Sequence, residues 1–258
     1  MAVIHPRIHW GAREVDWTWV PETTDEIVAV GRRMLAEGLG MLGFVFIAGA
    51  AIIVNDQVTP GGLGLLGMAA ATGLAYALIV FAFYPISGGH INPAITIGEM
   101  MARRMPPSIA ALYIGAQLVG AVVGALALEV AFRDFVGDAA GAASLSFNPQ
   151  MTGWIGGALE GVLTFVLVVA YFRAFVDHRL PAASGSAAVG LVVLVSFLVA
   201  FSLTGGALNV ARVFGTGLVA GEWTDFGWYL LGLAGGAVAG LTYEYVFARP
   251  EEATEAEA

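Results

Sequence analysis

The chain has 258 residues, of which 58% are hydrophobic and only 12% charged, with a mean hydropathy of +0.80. A water-soluble domain carries about 25% charged residues, so lipid is the implied solvent. There are no cysteines, which excludes disulfides, thiolate metal sites and cysteine nucleophiles, and a net charge of −9 without a single lysine argues against a nucleic-acid partner.

Residues 1–27 form a polar, Trp-rich arm without the short apolar stretch of a cleavable signal peptide. Its Trp10, Trp17 and Trp19 suit either a membrane interface or a loosely ordered cytoplasmic arm. A membrane domain follows at 28–248, and an acidic tail expected to be disordered closes the chain at 249–258. Within the domain, apolar stretches run roughly 34–54, 63–84, 108–132, 153–175, 185–203 and 226–247. Each approaches the ~20 residues that cross a bilayer. Polar or Gly/Pro-rich joints separate them, and Asn148-Pro149 in one joint reads as a cap before the fourth span.

Six spans put both termini on one side. With that side inside, the inner segments hold Arg7, Arg13, Arg32, Arg33, Arg103, Arg104, Arg173, Arg179 and Arg249, and the outer ones only Arg133 and Arg212. The positive-inside rule therefore sets both termini in the cytoplasm. The expected location is the cell membrane.

Two apolar segments, Asn92–Met101 and Asn209–Leu218, are too short to span. Ten helical residues rise ~15 Å, half of a ~30 Å hydrocarbon core. Two such half-helices meeting end to end would together cross the bilayer. The chain also repeats itself in one order: LAEGLGMLGFVF at 35–46 echoes ALEGVLTFVLVV at 158–169, SGGHINPAITIG at 87–98 echoes TGGALNVARVFG at 204–215, and GAVVGALALEV at 120–130 echoes GAVAGLTYEYV at 236–246. Three spans per repeat, about 28–132 and 153–248, force the halves into opposite orientations. An inverted repeat of this kind places its site near the midplane, between interrupted helices.

Asn is a favoured N-cap and Pro is favoured at the first helical position. Asn92-Pro93 and Asn209 therefore start the half-helices and aim their free N–H groups, and the positive ends of their dipoles, at the midplane. Cations and protons should meet a barrier there. The amides of Asn92 and Asn209 can each donate to a passing water, whose hydrogens then point away from both and break a proton wire. Arg212 is a charge at membrane depth, which is costly and a functional candidate. Glu37 and Glu160 hold matching places in the two halves and must be paired, hydrogen-bonded or protonated.

The paired motifs SGGHINPA and TGGALNVAR resemble the Asn-Pro-Ala loops of the aquaporin, or major intrinsic protein, family, and the resemblance runs over about residues 30–248. It implies an all-α membrane protein of six transmembrane helices plus two re-entrant half-helices. The implied function is passive conduction of water, and of small neutral solutes, without protons or ions. The motif positions are Asn92, Pro93, Ala94 and Asn209, Val210, Ala211; Val210 departs from the family's proline, which should leave one extra N–H and the fold intact.

By the family's spacing the selectivity constriction is Thr72, Phe197, Gly206 and Arg212. Strict water channels usually carry an aromatic at the first of these and histidine at the second, so this set departs from them. Val213, where glycerol facilitators usually carry aspartate, and the Trp228-Tyr229 pair lean back towards water. The resemblance further implies that Glu37 and Glu160 hold the motif loops, that His90 lines the inner pore, and that the chain forms a homotetramer. Gln117 is placed to bond the first loop. No cofactor or metal is implied. A glycerol facilitator is the alternative. A secondary transporter lacks candidate ion-binding acids other than Glu37 and Glu160, and no enzyme is expected, because Ser87 and His90 fall in a loop that the cap logic already explains.

Overall fold

In a computed structural model, residues 20–176 and 181–247 are described. Their elements in chain order are α1 (Thr24–Ile53), α2 (Gly64–Ser87), α3 (Pro93–Met101), α4 (Pro107–Phe132), α5 (Ala139–Ala143), α6 (Gly153–Tyr171), α7 (Ala182–Thr204), α8 (Val210–Ala220), α9 (Phe226–Tyr229) and α10 (Leu231–Thr242). Five-residue π-helical turns, Val54–Val58, Phe172–Val176 and Tyr243–Phe247, extend α1, α6 and α10. Six helical stretches are long and apolar enough to cross a membrane: Thr24–Val58, Gly64–Ser87, Pro107–Phe132, Gly153–Val176, Ala183–Thr204 and Phe226–Phe247. The all-α class, the six spans and the two half-helices stand as read from the sequence.

The first helix starts ten residues before its apolar stretch. Asp25, Glu26, Arg32 and Arg33 lower the hydropathy there, but the local chemistry favours helix. Thr23 accepts from the Glu26 N–H at 3.3 Å, and the Glu26 carboxylate accepts from the Thr23 N–H at 3.1 Å. This reciprocal capping box satisfies two orphan donors of the first turn. Asn148 also differs from its expected role. Thr152 holds the N-cap position of α6, while Asn148 donates its N–H to the Leu203 carbonyl at 2.8 Å and accepts from the Gln150 N–H at 2.9 Å. It pins the connecting loop to the end of α7. The interfacial reading of Trp10, Trp17 and Trp19, the acidic tail, and Arg7, Arg13, Arg179 and Arg249 lie outside the described residues.

Small residues set how the helices meet. In the first half, a Cβ on Gly120 would collide with the Gly38 backbone, so α1 and α4 touch main chain to main chain. In the second, Gly235 and Gly161 bring α10 onto α6 in the same way. Across the pseudo-two-fold axis, a Cβ on Gly73 would stand 2.6 Å from the Gly190 carbonyl oxygen, and one on Gly190 2.6 Å from that of Gly73. Lipid offers no hydrophobic drive for helices to associate, so close van der Waals approach supplies much of the cohesion. Each half-helix packs on the last span of the other half: α3 at Gly98 meets Gly236 and Gly240 of α10, and α8 at Gly215 meets Ala121 of α4. Between 33% and 56% of the residues in each apolar span are buried within the bundle. The remaining faces carry Leu74, Leu78, Phe81, Val119, Val130, Val162, Val195 and Val199 outward, a surface suited to lipid or to other apolar helices rather than to water.

Candidate channel site

The two motif loops follow the same backbone path. α2 ends at Gly88 and α7 at Gly205, with left-handed φ of 89° and 79° that a side chain would disfavour. Three residues on, Ile91 and Leu208 adopt φ of 49° and 51°. A β-branched or bulky side chain in that region is an outlier of the kind that costs about 1–3 kcal/mol and is held by its surroundings. The chain then extends at Asn92 and Asn209 (φ −162° and −143°), which cap α3 and α8. Asn92 accepts from the Ala94 N–H at 2.9 Å, and Asn209 from the Ala211 N–H at 3.1 Å. Pro93, Ala94, Val210 and Ala211 form the first helical turns, and Val210 enters the helix as proline does in the first motif.

Two buried glutamates hold the loops from behind. Glu37 accepts from the Ser87 hydroxyl at 2.6 Å, the N–H of His90 at 3.0 Å and of Ile91 at 2.7 Å, and the Gln117 amide at 2.7 Å. Glu160 accepts from the Thr204 hydroxyl at 2.6 Å and the N–H of Ala207 and Leu208 at 3.0 and 2.8 Å. A carboxylate is an acceptor with about four lone-pair sites, so it can face several donors at once where an amide cannot. Gln117 reaches Glu37 and the Thr96 hydroxyl (3.1 Å) rather than the loop backbone.

Further contacts were not foreseen. Tyr76, Tyr113 and Tyr171 donate to the carbonyls of His90, Ser87 and Gly88 at 2.8, 3.0 and 2.8 Å. Tyr229 donates to the Thr204 carbonyl, the counterpart of the Tyr113 bond in the second half. Tyr229 is buried while its neighbour Trp228 is 43% exposed, so the aromatic pair splits between the two environments. The hydroxyls of Ser87 and Thr204 stand at matching places before the glycine pairs, a signal present in the repeat itself.

Where the half-helices meet, the asparagines reach across. Asn92 Nδ2 donates to the Leu208 carbonyl at 2.9 Å, and Asn209 Nδ2 to the Ile91 carbonyl at 2.7 Å. Each amide thus gives one hydrogen to the opposite loop, and Asn209 Nδ2 also faces Met41 Sδ at 3.9 Å. Towards α8, Arg212 is 1% exposed, its two Nη atoms without partners. Its Cζ lies 5.8 Å from the Phe197 ring and 5.9 Å from that of Phe44, a neighbour the sequence did not point to. Phe197 is fully buried and stacks on Phe201 with centroids 4.6 Å apart. Gly206 turns with φ 56°, and a Cβ there would press within 3.2 Å of Phe197 Cα. Thr72 is buried with its hydroxyl unpartnered, one turn along α2 from Met68 and Ala69, which pack with Phe197.

His90 pairs its Nδ1 with the Thr96 hydroxyl at 3.1 Å and sits between the rings of Tyr113 and Tyr171. It opens on a cavity of about 300 Å³ at the end where α1 begins, whose walls include Arg33, Tyr84, Glu99, Arg104 and Phe175. Among the described residues no three His, Asp or Glu gather to hold a metal ion.

Six spans in two inverted halves, with two capped half-helices joined at their N-termini, define a membrane channel. Residues 26–243 match the family described as Major intrinsic protein, and the chain belongs to it. It is 36% identical over 223 residues to Aquaporin TIP4-4 of Zea mays, covering 84% of this chain and 86% of that one. To Aquaporin-4 of Rattus norvegicus it is 34% identical over 223 residues, covering 85% and 68%. Among solved structures, the aquaglyceroporin from Plasmodium falciparum superposes with a TM-score of 0.76 at 23% identity, over 85% of this chain and 97% of that one. At that identity the likeness speaks for the fold alone.

Proposed function

We propose that the chain is a passive water channel that also passes small neutral solutes and bars protons and ions. The observation that carries this reading is the reciprocal pair Asn92–Leu208 and Asn209–Ile91 at the abutting N-termini of α3 and α8. A water there accepts from two amides at once, and its hydrogens point outward to either side. Two helix dipoles, each about half a positive charge, oppose any cation at the same point. Val210, unlike proline, adds one more N–H to this positive end.

In this reading Arg212, Phe197, Gly206 and Thr72 form the constriction. The unpartnered Nη groups donate to the permeant, and the charge repels cations. Glu37, Glu160 and Gln117 support the loops, and His90 lines the inner pore. The protein is a multi-pass membrane protein; the cell membrane is the proposed location, the cytoplasmic termini rest on the arginine asymmetry, and a homotetramer rests on the family. The small Thr72 and Gly206 favour a second reading, a glycerol facilitator.

Stopped-flow light scattering on proteoliposomes decides how far conduction extends beyond water. Fast shrinkage in an impermeant osmolyte, with low activation energy and no glycerol reswelling beyond empty liposomes, is the outcome for a strict water channel. Fast reswelling in glycerol makes the chain a broader facilitator. Shrinkage no faster than in empty liposomes overturns the water reading.

A further inference from the structure

The cavity at the arginine-rich mouth is lined by a buried carboxylate, Glu99, and a half-buried guanidinium, Arg104, which lie within electrostatic reach of each other yet each keep a buried atom without a hydrogen-bond partner. Glu99, on the last turn of α3, lines it and is 3% exposed, yet its Oε2 has no hydrogen-bond partner. Arg104 lines the same cavity, its guanidinium 5.5 Å from the Tyr243 ring, and its Nε is buried without a partner. The Arg104 N–H bonds the Glu99 carbonyl at 2.9 Å, so the backbone keeps the two residues side by side. A carboxylate and a guanidinium so placed would ordinarily close into a charge-assisted pair. Here one presents an orphan acceptor and the other an orphan donor, and buried polar groups of that kind call for a partner.

The surroundings narrow the partner's chemistry. A cation entering would meet the guanidiniums of Arg33 and Arg104, and an anion would meet the unsatisfied Glu99 oxygen. A neutral molecule bearing both a donor and an acceptor satisfies both orphan atoms. The volume of about 300 Å³ is at the lower end of ligand sites and holds far more than one water. Tyr84, Tyr171 and Phe175 supply apolar wall for a short carbon skeleton.

We propose that Glu99 and Arg104 form a binding station for small neutral polyols and amides, of the size of glycerol and urea. It deepens the solute half of the function proposed above. A solute held here waits beside His90, so the inner mouth sorts solutes before they reach Phe197 and Arg212.

Saturation-transfer NMR on the purified full chain, with urea and glycerol as probes, reads binding without requiring transport. The expected result is a titratable signal in the wild type that weakens about tenfold in Glu99→Leu and in Arg104→Leu, the effect of one lost charge-assisted hydrogen bond. The variants remove the acceptor and the donor independently, and their elution profiles and thermal stability check folding, so either one that folds decides. No wild-type signal, equal signals in the folded variants, or preferential binding of formate or ammonium would overturn the station. Water permeability of wild-type liposomes is measured separately, so failure of the channel reading is told apart from failure of this one.

Discussion

Replacing Glu37 tests whether the loops are held from behind by a carboxylate. In Glu37→Leu four donors lose their acceptor. Ser87 can turn its hydroxyl to the Phe83 carbonyl, already 3.4 Å away, but the N–H of His90 and Ile91 has no such alternative, and the Gln117 amide keeps only its bond to the Thr96 hydroxyl at 3.1 Å, which leaves the second of its two N–H groups bare. Three buried donors left unpaired at about 1–3 kcal/mol each amount to about 3–9 kcal/mol, a large part of an ordinary folding free energy of about 5–15 kcal/mol. In Glu160→Leu, Thr204 turns to the Ala200 carbonyl at 3.5 Å, and only the N–H of Ala207 and Leu208 are stranded. The cost there is about 2–6 kcal/mol.

Glu37→Gln is milder still. The new carboxamide can point its oxygen at Ile91 and Gln117 and its nitrogen at the Ser87 oxygen, leaving the His90 N–H alone unsatisfied, for about 1–3 kcal/mol. Unfolding in mixed micelles with increasing dodecyl sulfate should rank the variants as Glu37→Leu worst, then Glu160→Leu, then Glu37→Gln. A Glu37→Leu protein as stable as Glu160→Leu, or as wild type, would refute the reasoning.

Three further outcomes are expected. Arg212→Val removes the one charge between Phe44 and Phe197, so proteoliposomes should reswell faster in glycerol and leak protons faster than wild type; unchanged fluxes of both count against its place in the constriction. Gly73→Leu should separate α2 from α7 and destabilise the bundle by about 1–3 kcal/mol or more, whereas Gly115→Leu, with nothing within 4 Å, should shift the unfolding midpoint little. Asn209→Ala removes both a helix cap and the bond to Ile91, so a loss of about 1–3 kcal/mol with reduced water permeability is expected; a variant matching wild type in both would count against the amide's role.

The spans were legible because lipid selects long apolar runs, and the half-helices because Asn and Gly punctuate them. Where charge and helix coincide the reading fell short. Asp25, Glu26, Arg32 and Arg33 hid the first three turns of α1, and α5, five Ala and Gly residues behind an Asp138 cap, carries no periodicity to detect. Glu37 and Glu160 stood out because a carboxylate inside a span demands an explanation. Tyr76, Tyr113 and Tyr171 did not, because a tyrosine in an apolar run reads as packing until its hydroxyl is seen on a loop carbonyl. The exchange of bonds between Asn92 and Leu208 and between Asn209 and Ile91 joins residues more than 110 positions apart, and spacing holds no information about such a meeting. Arg104 was legible only as an orientation marker; its neighbourhood with Glu99 follows from the turn after α3.

The crossed asparagine bonds also limit how such a pore can be regulated. Each half-helix is capped by a side chain that is itself tied to the opposite loop, so neither end can slide without loosening its counterpart. The centre then behaves as a keystone: it stays seated or the arch opens altogether, with no graded position between. Any adjustable valve in this protein belongs at the mouths, where loops and side chains move without unseating the middle.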